Sequence, residues 1–203
     1  MSPAPPKSNH PHVAVVAFPF SSHAAQLLAA VRCLAAGTGE GATFSFFSTA
    51  ESNNSVFRKH KEDRDSNNVR AYDVWDGVPQ GYSFTGKPQE SIELFMEAAP
   101  RSLRLSIAAA EAEAGRAVTC LVTDAFLWFA AEMAEEMGVP WVAFWIGGSN
   151  SLSAHFYTHL IRQKIIGVTT TTPHGTYVIL FISSRKKVES FKIRSLLHEI
   201  VLG

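Results

Sequence analysis

The chain has 203 residues, of which 46% are hydrophobic and 18% are charged, enough for one globular domain with a sizeable core. Eighteen Lys and Arg balance eighteen Asp and Glu, so the formal net charge is zero. This balance argues against a nucleic-acid partner or an anionic membrane surface. The apolar runs are too short, or too interrupted by charges, to predict a transmembrane segment.

The N-terminal segment and the two cysteines indicate the cellular compartment of the protein. Residues 1–11, MSPAPPKSNHP, contain four prolines and no apolar run. They predict a disordered leader, because a signal peptide would have a long hydrophobic region. Cys33 and Cys120 each lie in an apolar stretch and predict buried free thiols in a reducing compartment. We therefore expect a cytoplasmic protein.

Segments typical of strands and helices alternate from residue 12 to residue 166. Apolar β-branched or alternating runs predict strands, and apolar residues at helical spacing predict helices. This alternation predicts an α/β fold in which a parallel sheet is flanked by helices on both faces. In chain order we predict a strand at 12–18, a helix at 24–36 ending at Gly37, a strand at 42–47, a charged loop at 58–68, a strand at 69–74, a helix at 89–114 interrupted or kinked at Pro100, a strand at 118–123, a helix at 125–137, a strand at 140–145 and a helix at 150–166.

The character of the chain changes after Gly167. Four threonines in a row precede a possible strand at 177–183, and a basic cluster follows it. This tail has no predicted place in the sheet, and we expect residues 168–190 to be the least ordered part of the chain after the N-terminal leader. The predicted organisation is therefore a leader (1–11), an α/β domain (12–166) and an atypical tail (167–203).

Two ionisable residues follow predicted strands, where the functional groups of parallel sheets gather. His23 comes after the first strand, and Asp124 comes directly after the strand at 118–123. A carboxylate fixes the tautomer of a neighbouring imidazole and stabilises its cation, so such a histidine serves as general base toward a hydroxyl. The alternative is structural, because Asp124, Ser21 and Ser22 are all suitable helix N-caps.

Several ordered blocks resemble a known family. The blocks HVAVVAFPFSSHAAQLLAAVRCLAA, DGVPQGY, GKPQESIELFMEAAPRS, CLVTDAFLWFAAEMAEEMGVPWVAFW and NSLSAHFYTHLIR resemble the plant UDP-dependent glycosyltransferases. The resemblance covers about 12–166 and is strongest to the flavonoid and anthocyanidin 3-O-glucosyltransferases. It implies the Rossmann-like N-terminal domain of a two-domain GT-B enzyme.

The resemblance also implies roles for individual residues. His23 would remove the proton of the acceptor hydroxyl, and Asp124 would support it. The oxygen would attack and invert the anomeric carbon of UDP-glucose, the co-substrate, with no metal and no bound cofactor. Positions that resemble acceptor contacts are Ser21, Gln89, Phe126 and His155. Aromatic walls suit a flat phenolic acceptor.

Some positions depart from the family pattern. Gln26 stands where this subgroup usually has proline, and Ile146 stands where the family usually has a threonine near the sugar. The HCGWNS-type signature that binds the UDP-sugar in the second domain does not occur in the sequence. We therefore expect the C-terminal domain to be missing and the chain to be inactive alone. An inactive remnant that only binds a flavonoid or a partner is the main alternative.

Other patterns point to weaker alternatives. Ser149 lies between a strand and a helix like an α/β-hydrolase nucleophile, with only His174 and His198 as downstream bases. His155 and His159 share a helix face but lack the glutamate of a zinc protease helix. The glycines of GTGEGA follow a helix instead of a strand, which is the wrong context for a dinucleotide loop.

Overall fold

The computed structural model describes residues 10–57, 65–66, 68–87, 89–157 and 178–181. In this part of the chain, seven strands and five α-helices alternate. The strands are β1 (His12–Val16), β2 (Thr43–Thr49), β3 (Asp65–Ser66), β4 (Val69–Val74), β5 (Cys120–Asp124), β6 (Trp141–Trp145) and β7 (Val178–Phe181). The helices are α1 (His23–Thr38), α2 (Ala50–Phe57), α3 (Glu90–Ala114), α4 (Ala130–Met137) and α5 (Ser149–Phe156), and a short 3-10 helix spans Gly39–Gly41.

The strands form one sheet in the order β3-β4-β2-β1-β5-β6-β7. All neighbouring pairs are parallel except the short edge pair of β3 with β4. Strand β1 lies in the middle, with Val13 opposite both Phe44 of β2 and Cys120 of β5. The chain therefore runs outward from β1 in both directions, and the carboxyl ends of β1 and β5 are neighbours.

Helices cover both faces of the sheet, as the sequence pattern predicts. Alternate residues of β1 point to opposite faces, so Val13 and Val15 pack with α1 and α2 while Ala14 and Val16 pack with α3 and α4. Among the largest fully buried side chains are Phe46 and Leu27 on the first face and Phe95 and Leu103 on the second. The α/β prediction is confirmed, and a helical layer covers each face of the sheet.

Several predicted helix boundaries are wrong for identifiable reasons. Helix α1 continues through Gly37 and ends at Gly39, whose φ of 55° suits the C-cap, while the Thr38 hydroxyl donates to the Leu34 and Ala35 carbonyls. Helix α3 is continuous through Pro100, so the predicted interruption does not occur.

Helix α4 also differs from its prediction, since it begins at Ala130 instead of residue 125. The preceding residues form turns in which the Leu127 N–H donates to the Asp124 carbonyl and the Ala130 N–H to the Leu127 carbonyl. Helix α2 was not predicted, because its sequence AESNNSVF is mostly polar and lacks apolar spacing. Strand β7 supplies a place in the sheet for part of the tail, beside β6.

The remaining expectations on the chain ends and cysteines have mixed outcomes. The predicted leader reaches too far, since the Pro11 carbonyl already accepts a hydrogen bond from the Thr43 N–H at 2.9 Å. Three predicted segments lie outside the described residues: residues 1–9, the second half of the predicted helix at 150–166, and 168–190 apart from β7.

Cys120 is a buried free thiol as predicted, but Cys33 is exposed on α1, so the prediction of two buried thiols is wrong. No described helix is both long and apolar enough to cross a bilayer.

Candidate active site

The candidate site lies where β1 and β5 end side by side. Val16 of β1 pairs with Thr123 of β5, so the next residues of both strands leave the sheet at the same edge. After β1, Ser21 adopts a left-handed backbone with φ of 58°, the only non-glycine residue to do so in the described part of the chain. This turn brings the chain back toward the sheet, and α1 begins at His23.

His23 and Asp124 form a hydrogen-bonded pair at this edge. Nδ1 of His23 lies 2.7 Å from Oδ2 of Asp124. An ionised carboxylate only accepts hydrogen bonds, so the geometry places the proton on Nδ1 and leaves the lone pair on Nε2. The His23 side chain is 17% exposed and that of Asp124 is 1% exposed. Within the described residues, Nε2 forms no hydrogen bond and remains available to a ligand.

The carboxylate of Asp124 is held at both oxygens. Oδ1 accepts a hydrogen bond from the Phe126 N–H at 2.9 Å while Oδ2 accepts from His23. Burial raises the pKa of Asp124 above its ordinary value, and these two hydrogen bonds oppose that shift. A carboxylate desolvated in this way interacts more strongly with an adjacent imidazolium than one in water. The carboxylate of Asp124 can therefore stabilise the positive charge that forms on His23 when its imidazole accepts a proton.

Aromatic rings surround the histidine and extend along the sheet edge. The ring centroids of His23 and Phe126 are 4.9 Å apart, and Phe18 lies 5.2 Å from His23 and 5.6 Å from Phe126. Phe126 contacts Trp145 at 6.1 Å, and Trp145 contacts His155 at 5.1 Å. Phe126 is 48% exposed, so this row of rings offers an apolar surface beside the base.

The structure brings together some of the predicted site residues and not others. His23, Asp124 and Phe126 are in direct contact, and His155 joins them through Trp145. Among the described residues, the side chains of Ser21 and Gln89 form no hydrogen bond or ring contact with this group. Gln89 is the exposed N-cap of α3, and its carbonyl accepts from the Glu93 N–H.

Phe18 and Trp145 were not predicted from the sequence, although a signal for Trp145 exists. Trp145 is the last residue of β6. Functional groups gather at the carboxyl ends of parallel strands, and this rule singles out Trp145 as well as Asp124 at the end of β5. Phe18 lies two residues after β1, in a segment whose apolar sequence predicts only a continuation of the strand. The contact between Phe126 and Trp145 depends on the adjacency of β5 and β6, which the sequence does not state.

A buried carboxylate on α3 fixes the loop that follows β4. Glu90 is 8% exposed and accepts hydrogen bonds from the Tyr82 hydroxyl and from both the backbone N–H and the hydroxyl of Thr85. The hydrogen bond from Tyr82 is the main reason that the pKa of Glu90 lies below its ordinary value. This loop is therefore tied to the first turn of α3, close to the carboxyl edge of the sheet.

The alternative sites receive little support from the described residues. Ser149 begins α5, but its proposed partners His174 and His198 lie outside the described residues, as does His159. No group of three or more His, Cys, Asp or Glu that could hold a metal ion occurs in the part of the chain that is described. Gly37 lies inside α1 and not between a strand and a helix, which removes the dinucleotide-loop context.

Comparison with known proteins identifies relatives of this chain. The chain is 52% identical over 196 residues to an anthocyanidin 3-O-glucosyltransferase of Vitis vinifera, which covers 97% of this chain and 42% of the relative. It is also 52% identical over 177 residues to a flavonol 3-O-glucosyltransferase of Arabidopsis thaliana, covering 87% of this chain and 38% of the relative. No protein-family model matches the chain. The match to the grapevine protein reaches beyond the predicted segment 12–166.

A solved structure shows the same fold. The crystal structure of a UDP-glucose:anthocyanidin 3-O-glucosyltransferase in complex with UDP superimposes with a TM-score of 0.69 at 40% identity, covering 75% of this chain and 33% of that chain. The fold is thus the Rossmann-like N-terminal half of a GT-B glycosyltransferase. Over most of its length the chain is similar to the flavonoid and anthocyanidin 3-O-glucosyltransferases among the plant UDP-dependent glycosyltransferases. It spans about two fifths of the length of these curated relatives.

Proposed function

We propose that this chain supplies the acceptor-binding half of an inverting glycosyltransferase that transfers glucose from UDP-glucose to the 3-hydroxyl of a flavonoid or anthocyanidin. The observation that carries the proposal is the hydrogen bond between His23 and the buried Asp124, beside a partly exposed aromatic row. The names of the relatives support the acceptor class and the sugar. In this proposal residues 12–166 are the acceptor-binding domain and 167–203 an atypical tail.

The proposed reaction uses His23 as general base. Nε2 takes the proton of the acceptor hydroxyl while the hydroxyl oxygen forms a bond to the anomeric carbon of the sugar. The bond from that carbon to the diphosphate breaks on the opposite side, and its electron pair leaves with UDP. Asp124 keeps Nδ1 protonated and stabilises the imidazolium that forms. This account requires the anomeric carbon to be held about 3–3.5 Å from the acceptor oxygen.

The aromatic row positions the acceptor in this proposal. Phe126 presents flat apolar surface, the largely buried Trp145 packs against it, and His155 contacts Trp145 in turn. A planar phenol gains most of its binding free energy from such surface, and a few polar groups orient it. Ser21 and Gln89 remain proposed acceptor contacts at the sheet edge. The proposal places the protein in the cytoplasm, which two free cysteines support.

A transfer assay tests this function. The chain is joined to the remaining part of the grapevine relative, incubated with UDP-glucose and quercetin, and the product is identified by mass. We expect a flavonol 3-O-glucoside from the chimera. The chain alone is the matched control. A second control is the chimera incubated with UDP in place of UDP-glucose. A folded chimera that binds quercetin but forms no glucoside would contradict the proposal.

A further inference from the structure

A single carboxylate holds the end of the loop between β4 and α3. This carboxylate belongs to Glu90, the first residue of α3. One of its oxygens accepts a hydrogen bond from the Tyr82 hydroxyl, and the other accepts from the Thr85 N–H at 2.8 Å and the Thr85 hydroxyl at 3.0 Å. The Glu90 N–H in turn donates to the Lys87 carbonyl at 3.2 Å. The loop therefore folds around one side chain, and we call Glu90, Tyr82 and Thr85 the loop clamp.

Hydrogen bonds alone compensate the buried charge of the loop clamp. In the part of the chain that is described, no Lys or Arg forms an ion pair with Glu90. Its pKa lies below the ordinary value, chiefly because the Tyr82 hydroxyl donates to it, so the carboxylate is ionised at neutral pH. Hydrogen bonds to an ionised group are stronger than those between neutral groups. The three donors therefore hold the loop firmly, although much of it is exposed.

The loop clamp fixes an aromatic residue beside the candidate base. Phe84 lies between Tyr82 and Thr85 in the sequence and is 53% exposed, and its ring centroid lies 5.3 Å from that of Tyr82. Phe84 and Ser21 line one cleft of about 440 Å³, and Ser21 precedes His23 by two residues. An exposed loop residue is ordinarily mobile, so the anchors on both sides of Phe84 restrict where its ring can lie.

Glu90 itself stands back from this cleft. It is 8% exposed and is not among the residues that line the cleft, whereas Phe84 and the following residue of α3, Ser91, are. The carboxylate can therefore influence a molecule in the cleft only through the loop that it holds.

We propose that Glu90 is a positioning residue, which sets the affinity for the acceptor without touching it by holding Phe84 at the cleft beside His23. This inference rests on the proposed function, because it takes that cleft as part of the acceptor site. A loop that occupies its binding position for only a fraction of the time weakens the apparent affinity by that fraction. Loss of three hydrogen bonds should reduce the fraction to roughly 10–30%, which corresponds to a Kd about three- to tenfold higher.

The test measures quercetin binding to the 203-residue chain by isothermal titration. Glu90→Ala should raise the Kd about three- to tenfold and should speed hydrogen–deuterium exchange of the Thr85 N–H, which loses its acceptor. Tyr82→Phe removes one of the three bonds and keeps the ring, so it should raise the Kd at least about twofold.

Two further variants serve as controls. Glu90→Gln should recover most of the affinity, since its amide oxygen can accept both bonds from Thr85 and its NH₂ group can donate to the Tyr82 oxygen. Glu93→Ala should leave the Kd unchanged. Glu93 is an exposed carboxylate in the same first turn of α3, and its side chain forms no hydrogen bond to the loop within the described residues.

Two readouts separate positioning from a general loss of stability. In a Phe84→Ala background, Glu90→Ala should change the Kd by less than about twofold, because the ring that the loop clamp holds is already absent. In the chimera, Glu90→Ala should raise the KM for quercetin and leave the turnover number within about twofold, since His23 and Asp124 are unaltered.

The outcomes also separate this inference from the proposed function. An unchanged Kd in Glu90→Ala, or an equal effect with and without Phe84, would overturn the inference and leave the function standing. A chimera that forms no glucoside, while the chain shows the expected changes in Kd, would overturn the proposed transfer and leave the role of Glu90 in binding. Absence of quercetin binding to the unaltered chain would overturn both.

Discussion

Replacing His23 by alanine should lower the turnover number of the transferase at least about 100-fold, the usual lower range for loss of a general base. The measurement is the rate of glucoside formation by the chimera under saturating quercetin and UDP-glucose. The reason is that Nε2 of His23 is the free basic atom of the pair, with Nδ1 committed to Asp124. The KM for quercetin should change much less, since the aromatic row remains in place.

Two other histidines provide controls for this substitution. His10 lies at the opposite, amino-terminal end of β1, where its Nδ1 lies 3.3 Å from the Gly41 carbonyl oxygen, and His10→Ala should leave turnover unchanged. His155→Ala should raise the KM for the acceptor with little effect on turnover, because this ring contacts Trp145 and not the base. Circular dichroism of each variant checks the fold. A His23→Ala chimera with near-normal turnover would show that another group takes the proton.

Replacing Gly77 by alanine should reduce the free energy of unfolding of the chain by at least about 3 kcal/mol. Gly77 has a φ of 84°, and a Cβ there would lie 2.1 Å from the carbonyl oxygen of Leu94. That oxygen belongs to the backbone of α3, so it cannot move aside without displacing the helix. Strain in the backbone and overlap with the helix therefore add together.

Gly86 is the matched control for Gly77. Its φ is 88°, but a Cβ at this position meets no atom within 4 Å. Gly86→Ala should therefore cost only the backbone term, about 1–2 kcal/mol. Urea unfolding of the three proteins, followed by circular dichroism, measures both effects. Equal losses for the two variants would mean that the loop after β4 does not pack against α3 as described.

The sheet was predictable because its strands are continuous apolar runs. The segment from His12 to Val16 is buried along its whole length, and the helices on both faces repeat apolar residues at helical spacing. Helix α2 was not predictable in this way, since its only large apolar contacts come from Val56 and Phe57 at its end. Local helix propensity does not predict a polar helix that is stabilised by tertiary packing at one end.

The candidate site was predictable in part for a geometric reason. Parallel strands direct their following residues to one edge, which singles out His23 and Asp124 without knowledge of their distance. The order of strands in the sheet depends on contacts between residues that are far apart in the sequence. The ring contacts of Trp145 were therefore not predicted.

The central claim is that His23 and Asp124 act as one unit on the acceptor hydroxyl, and a double-mutant cycle tests it most directly. The turnover number is measured for the chimera, His23→Ala, Asp124→Asn and the double variant, with the fold of each checked by circular dichroism. We predict that Asp124→Asn lowers turnover at least about tenfold when His23 is present and less than about twofold when it is absent, because the carboxylate acts only through the imidazole. Equal losses in both backgrounds would contradict the account, since Asp124 would then act independently of His23.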